Sequence, residues 1–417
     1  MTDTDTDRST DTSTGTDAAP ASRCPVSHYP FDRPSAVRIP PVYDELLAGC
    51  PVARVTLPSG DDGYVVSRYE DVRTLLADLR FSRAATAAPD APRLYSARPD
   101  AGGLFTMDPP EHTRLKRLVA REFTARRVER LRPRLQETAD RLLDAMESPD
   151  RTADLVEAFA MPLPVVAICE LLGVPYEDRE TFLKLSGGIV SITSLSEEQA
   201  LNDKIGLAVY FSELIARKRA EPGQDLLSAL IQAHDEEGSL SQDELIIMGM
   251  TILIAGHETT ASVLGTGALA LLRRPEIVAR LAAEPELINP VVEEIVRTNP
   301  IGDGGPLRVT LEDVEIAGTV IPRNSAVIAA IPPVNHDGTV FDRPYEFDIT
   351  RDPNPHLAFG HGFHYCLGAA LARAELQIGL GTLFRRHPGL RLTVPVEELR
   401  LTTGSLTHSL VELPVAW

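Results

Sequence analysis

The chain has few cysteines, a deficit of positive charge and no long apolar run, and each shortage excludes something. Four cysteines are scattered along 417 residues, at Cys24, Cys50, Cys169 and Cys366, with no CxxC pair. Zinc and iron–sulfur clusters are poorly served by such spacing, and it fits a reducing cytoplasm better than a disulfide framework. Acidic residues outnumber basic ones 60 to 41, a formal charge of −19, which argues against nucleic acid as a partner. The longest apolar run, Leu245 to Ala255, has 11 residues, too short to span a bilayer. The first 22 residues are largely Thr, Asp and Ser, so they resemble neither a signal peptide nor a membrane anchor. Too few apolar groups are present there to offset the entropy of ordering. A disordered acidic tail is therefore predicted over 1–25, ahead of a domain at 26–417, in a cytoplasmic protein.

What the chain does contain is concentrated in a few places. Residues Phe359 to Gly368 read FGHGFHYCLG, a glycine-rich loop that presents Cys366 just ahead of a helical pattern. Gly360 and Gly362 let the loop turn tightly and its backbone approach something flat and large. Gly368 removes a side chain beside the cysteine. Leu367, Leu371, Ala374 and Ile378 then recur at helical spacing, and the run RRHPG at 385–389 stops the helix. A thiol at a helix start feels the positive end of the macrodipole, which favours thiolate. A lone cysteine is commonly an inert core residue. With no second cysteine nearby, a single axial thiolate suits haem iron best.

The longest helix is predicted from a capping box, Ser241 with Glu244, to the next strong break at Pro275. That is about 33 residues, or ~50 Å. In its middle stand Ala255, Gly256, His257, Glu258, Thr259 and Thr260, poor helix material after eleven mostly apolar residues. A polar patch inside a buried helix needs a reason. His257 and Glu258 do not make a zinc-protease pair, because the second histidine would fall on Ala261. Further on, Glu294 and Arg297 share a helix face, and alone such a pair is worth under about 1 kcal/mol. Short β-like segments occur at 52–57, 63–67, 307–322 and near the C-terminus. The Ala/Pro/Asp-rich stretch 83–103 lacks periodicity, as functional lids and disordered segments do. Between Arg114 and Arg134 nine basic residues meet only Glu122 and Glu129, a patch suited equally to an acidic partner or to a solvated helix face.

Taken together, the complete F-x-x-G-x-H-x-C-x-G loop, the A-G-x-E-T break and the E-x-x-R pair resemble the cytochrome P450 superfamily, in its soluble bacterial, actinomycete-type form. The resemblance runs from about residue 28 to the C-terminus. It implies a mainly α fold with a small β portion, a single domain with haem between the long central helix and the helix after the Cys loop. Cys366 is then the ligand of a heme b iron. Phe359, His364 and Gly368 belong to the same loop, and His112, Lys116, Arg308 and His364 match the residues that hold the haem propionates. Lys116 departs from the more common Arg there, and a lysine is a point charge rather than a fork. Asn335-His336-Asp337 departs from the commoner Asn-Arg-Asp.

The resemblance also implies that Ala255 and Gly256 leave room for dioxygen. Glu258 and Thr259 match an acid–alcohol pair that relays protons from solvent, and Glu294, Arg297 and Arg351 match a buried structural triad. The implied activity is a monooxygenase, inserting one oxygen atom by hydroxylation or epoxidation into a lipophilic small molecule, such as a polyketide or terpenoid. Oxidative coupling, nitric oxide reduction and non-catalytic haem binding are the alternatives. No flavin or nicotinamide fingerprint is present, so electrons come from a ferredoxin and its reductase docking on the 114–134 patch of a monomer. Pocket walls are expected from the lid at 83–106 and from 172–215, 248–256, 301–307 and 402–408, where Leu104, Ile189, Val190, Ile192, Ile252, Ile301 and Leu406 are mostly aliphatic.

Overall fold

The capping box predicted at Ser241 forms in full: Glu244 N donates to Ser241 Oγ at 3.1 Å, and Ser241 N donates to Glu244 Oε2 at 2.8 Å. The helix it starts is the longest in the computed structural model, which describes Cys24 and residues 28–33, 35–237, 239–302 and 304–417. The tail expected over 1–25 lies outside the described residues apart from Cys24.

Thirteen α-helices occur among the described residues. The first seven are α1 (Val42–Gly49), α2 (Tyr69–Ala77), α3 (Glu111–Ala120), α4 (Ala125–Met146), α5 (Pro162–Leu172), α6 (Arg179–Val190) and α7 (Glu197–Ala220). After them come α8 (Leu226–Glu237), the long α9 (Gln242–Leu272), α10 (Pro275–Ala283), α11 (Ile288–Thr298), α12 (Ile331–Val334) and α13 (Ala369–Arg386).

Strands are few and short. β1 (Val52–Thr56), β2 (Asp62–Val66), β3 (Phe81–Ser82), β5 (Arg308–Thr310) and β8 (Ala326–Ala329) form one sheet in the order β1-β2-β8-β5-β3. Only β2 and β8 run parallel in it, with Val65 opposite Ile328. β4 (Thr152–Asp154), β9 (Arg391–Leu392) and β10 (Pro414–Ala416) make a second sheet, and β6 (Val314–Ile316) pairs with β7 (Thr319–Ile321). The β-like segments read from the sequence are found, and Ala326–Ala329, an unbroken buried run without alternation, is added to them.

Helix α9 is apolar on nearly every side because it lies inside the protein. It packs against α5, α7, α11 and α13, and Leu253, Leu264, Leu269 and Leu271 are almost wholly buried. The most apolar 18-residue window of its 31 residues has mean hydropathy 1.3, so by length and composition alone the helix could cross a bilayer, which the 11-residue run did not foresee. The physical reason is that the polar break from Gly256 to Thr260 ends the run in sequence without ending the helix. Of its most apolar window, 61% is buried by neighbouring helices instead.

A second correction concerns cysteine. Cys24 and Cys50 are joined in a disulfide, with Cα atoms 5.6 Å apart. The chain from His28 returns along β1 and the start of α1, where His28 bridges to Thr56 and Phe31 stacks edge-on with Tyr43. Sequence spacing alone does not show that return. Cys169 and Cys366 are free thiols.

The segment 83–103 contains one short 3-10 turn, Ala84–Ala87, and otherwise no regular element. It is tied to the loop between α6 and α7. Ser96 N donates to Ser191 O at 2.9 Å, the Ser96 and Ser191 hydroxyls meet at 3.0 Å, and Arg93 pairs with Glu197 at 2.6 Å.

Candidate active site

The loop before α13 is shaped by backbone demands. Gly362 has φ +69°, and a Cβ there would meet Leu76 O at 2.7 Å and Ala77 Cα at 3.0 Å. Its close approach is therefore to the end of α2, and the expectation that this glycine clears space for a flat ligand is corrected. Cys366 N donates to Phe359 O at 2.8 Å, which closes the loop, and Gly368 caps α13. The Phe359 ring lies under the Arg373 guanidinium at 4.3 Å, and Arg373 grips Glu293 with two hydrogen bonds, at 2.7 and 2.8 Å. At Gly368 no protein atom lies within 4 Å of where a side chain would begin.

Cys366 is exposed to a solvent-sized probe, yet the protein around it pushes its thiol up; the Gly368 N–H, Lys116 and Arg373 act in the opposite direction. The helix start thus does not by itself deliver a thiolate, because desolvation outweighs it. Lys116 also reaches the cysteine loop itself. Its Nζ donates to Phe363 O at 2.8 Å and Tyr365 O at 3.0 Å, clamping the cysteine loop to α3.

Beside the loop stands a group of under-bonded donors. His112 and His364 rings lie 4.3 Å apart. Arg308, buried on β5, gives one hydrogen bond, from Nη1 to Phe81 O at 3.2 Å, while its buried Nε and the buried Nε2 of His364 have no partner. Burial lowers all three: His112 to about 4, with Lys116 contributing; His364 to about 2, with His112 next; and Arg308 to about 10, with Arg83 next. Buried donors of this kind want anionic acceptors. Two carboxylates, as haem carries, are the chemistry that this donor set fits.

Behind the loop, Arg297 and Glu294 are wholly buried. Arg297 gives Nε to Glu294 Oε2 at 2.8 Å and Nη2 to Glu294 Oε1 at 2.6 Å. Its other hydrogen bonds reach the carbonyls of Asn335, Pro344 and Glu346. Arg351 is the weaker third member, with Nε 3.7 Å from Glu294 Oε2 and Nη1 bonded to Asp342 O. Sequence reading gave Asn335 no role and missed Asn354. Asn354 Nδ2 donates to Glu294 Oε2 at 3.1 Å, and Asn335 Oδ1 accepts from Leu357 N at 2.8 Å, linking the network to the approach of the cysteine loop.

On α9 the polar break keeps its helical form. Thr259 Oγ1 donates to Ala255 O at 2.9 Å, one turn back. At Gly256 a Cβ would lie 2.4 Å from Ile168 Cδ1, so the missing side chain admits α5. Helix packing is one demand that this glycine meets. His257 is buried, with Nδ1 2.7 Å from Leu253 O. Glu258 accepts from Thr407 Oγ1 at 2.9 Å through Oε1, while its Oε2 is buried without a partner. Burial pushes the Glu258 carboxyl above its ordinary range, and the Thr407 hydroxyl partly offsets this. Two further residues were missed: Thr407, 149 positions away in sequence, and Glu375, wholly buried on α13, where burial pushes its carboxyl well above the ordinary range. An acid between the buried Ala374 and Leu376 was the available signal for the latter.

The basic patch is partly neutralised. Arg114 pairs with Glu244, Arg127 with Glu122, Arg132 with Glu129 and Arg134 with Glu170. Arg117, Arg121, Arg126 and Arg130 are exposed and enter no ion pair among the described residues.

A cysteine-presenting loop, a propionate-ready donor set and a central helix with an acid–alcohol break define a haem-thiolate oxygenase. The chain belongs to the cytochrome P450 family: that family model matches residues 211–388, and curated relatives extend the match over nearly the whole chain. It is 46% identical to nocardicin C N-oxygenase of Nocardia uniformis subsp. tsuyamanensis, over 95% of this chain and 100% of that protein. It is 44% identical to mycinamicin IV hydroxylase/epoxidase of Micromonospora griseorubida, over 93% and 98%. The crystal structure of the LnmA cytochrome P450 hydroxylase of Streptomyces atroolivaceus S-140 superposes with TM-score 0.84 at 44% identity, covering 94% of this chain and all of that one. As in the family, the cofactor is haem iron ligated by a cysteine thiolate, and the enzyme uses a small-molecule substrate, dioxygen and redox partners.

Proposed function

We propose that this enzyme inserts one oxygen atom, by hydroxylation or epoxidation, into a lipophilic secondary metabolite such as a polyketide or terpenoid. It does so as a cytoplasmic monomer supplied with electrons by a ferredoxin and its reductase. The observation that carries the reading is the Glu258–Thr259 pair in the break of α9, with Glu258 buried and one carboxyl oxygen unpartnered. Bound haem supplies the iron at which dioxygen is activated. Everything else falls to the chain. Cys366 supplies the ligand sulfur, held by the Phe359 carbonyl and the Lys116 clamp. Arg308, His364 and His112 take the propionates. Glu258 receives a proton from the solvent side and passes it to a water or to the Thr259 hydroxyl, while Ile252, Leu104 and Val190 exclude bulk water. Arg117, Arg121, Arg126 and Arg130 present the free positive charge to which an acidic ferredoxin is attracted, so that turnover falls as salt rises.

The test is a compound panel screened for substrate-induced displacement of the Soret band, followed by turnover of hits with ferredoxin, reductase and isotope-labelled dioxygen. One labelled oxygen atom in the product is the expected result. A coupled product without labelled oxygen, or a reduced carbon monoxide complex lacking the red-shifted thiolate band, would overturn the reading.

A further inference from the structure

Glu258 is held from outside its own helix. The hairpin 401–410 closes through the Leu401–Leu410 bridge and a hydrogen bond from Thr402 N to Ser409 O at 2.8 Å. The side chain of Thr402 braces its tip, donating to Thr407 O at 3.2 Å and accepting from Ser409 N at 3.1 Å. On one side of Thr407, Leu406 N donates to Val190 O at 2.8 Å, at the end of α6. On the other side, His408 N donates to Ile301 O at 2.6 Å, and His408 O accepts from Ser262 Oγ at 3.0 Å. Ser262 stands one turn beyond Glu258 on α9, so the two share a face. With both neighbours pinned through their backbones, the Thr407 side chain has one direction, and it ends 2.9 Å from Glu258 Oε1. Thr407 is 3% exposed.

We propose that Thr407 is a positioning residue for the proton-relaying acid: its hydroxyl fixes the Glu258 carboxyl from a hairpin that also joins the end of α6, leaving Oε2 as the atom that takes and gives the proton. The proposal rests on the relay reading of Glu258 given above. Among the described residues no lysine or arginine pairs with Glu258. The neighbouring titratable groups, His257 beside it on α9 and His408 beside Thr407, are both lowered by burial, His408 to about 4 with Arg33 contributing. The hydroxyl is then the one side-chain donor that favours the ionised carboxyl. Each proton that Oε2 hands inward is replaced by one from solvent, so the acid returns to its starting state.

The test uses haem-loaded enzyme and infrared difference titration of the protonated carboxyl, with the Glu258 band identified by its loss in Glu258→Gln. Thr407→Val keeps the shape and removes the donor. Its Glu258 midpoint is expected to rise by about one pH unit, and its peroxide yield per NADH, measured with ferredoxin and reductase, to move toward that of Glu258→Gln. Thr407→Ser should restore both to wild type, which a merely structural role would not require. Should Thr407→Val fail to load haem, Thr407→Ala carries the same comparison. A wild-type midpoint and peroxide yield in the hydroxyl-free variant would overturn the proposal. If Glu258→Gln leaves the peroxide yield unchanged while Thr407→Val still shifts the midpoint, the relay reading fails and the positioning contact stands.

Discussion

Glu294 and Glu258 are both carboxylates on buried helices, yet their surroundings are opposite. Glu294 accepts four hydrogen bonds, two from Arg297, one from Asp348 N and one from Asn354 Nδ2. Glu258 accepts one, from a neutral hydroxyl, and its second oxygen has none. The first is a charge fixed by a cation and saturated geometry, which rigidifies the platform behind the cysteine loop. The second is desolvated without a cation, so its two protonation states lie closer in energy. On the proposed reading, a group that holds still and a group that exchanges a proton are thereby distinguished by how many donors the fold brings to them.

The largest effect expected is on the saturated side. Arg297→Ala leaves Glu294 buried without its cation, and should cost about 3–5 kcal/mol. Protein without bound haem is expected, read as the ratio of Soret to protein absorbance; full haem occupancy would break the comparison. Next comes Gly256→Ala, where a Cβ overpacks against Ile168, at about 1–3 kcal/mol in urea unfolding. The loss should be recovered in part by adding Ile168→Ala. A Gly256→Ala variant with wild-type stability but no carbon monoxide binding would make ligand clearance the reason for this glycine.

Lys116→Met removes the clamp on Phe363 O and Tyr365 O. Because Lys116 is partly exposed, about 1 kcal/mol is expected, with part of the reduced carbon monoxide complex shifting to the form without a thiolate ligand. An unchanged spectrum would deny the clamp its part. Thr259→Ala should have the smallest effect on stability, under about 1 kcal/mol. Reducing equivalents should instead be diverted to peroxide. Unchanged coupling there would remove Thr259 from the relay and blur the contrast between the two sides.

Much of the site was legible because its chemistry is local in sequence. The Phe359–Gly368 loop, the capping box at Ser241 and Glu244, and the Glu294–Arg297 pair each lie within a few residues, where turn and helix geometry alone place the groups together. Gly256 and Gly362 were recognised as necessary, but their packing against Ile168 and Leu76 was not legible, since those atoms come from distant segments. The nine-residue basic patch was overestimated for the same reason: Glu170 and Glu244, which neutralise part of it, are not its chain neighbours.

The sequence by itself determined the ligand cysteine, the central helix with its polar break, and the family, because these depend on residue identity at short spacing. Only the tertiary structure decided which polar atoms remain without partners, that Cys24 meets Cys50, that Lys116 serves the cysteine loop, and that Thr407 reaches Glu258. Such facts depend on desolvation and on contacts between segments 26 to 249 residues apart. Neither burial nor long-range approach is encoded at any single position; both arise when the helices pack.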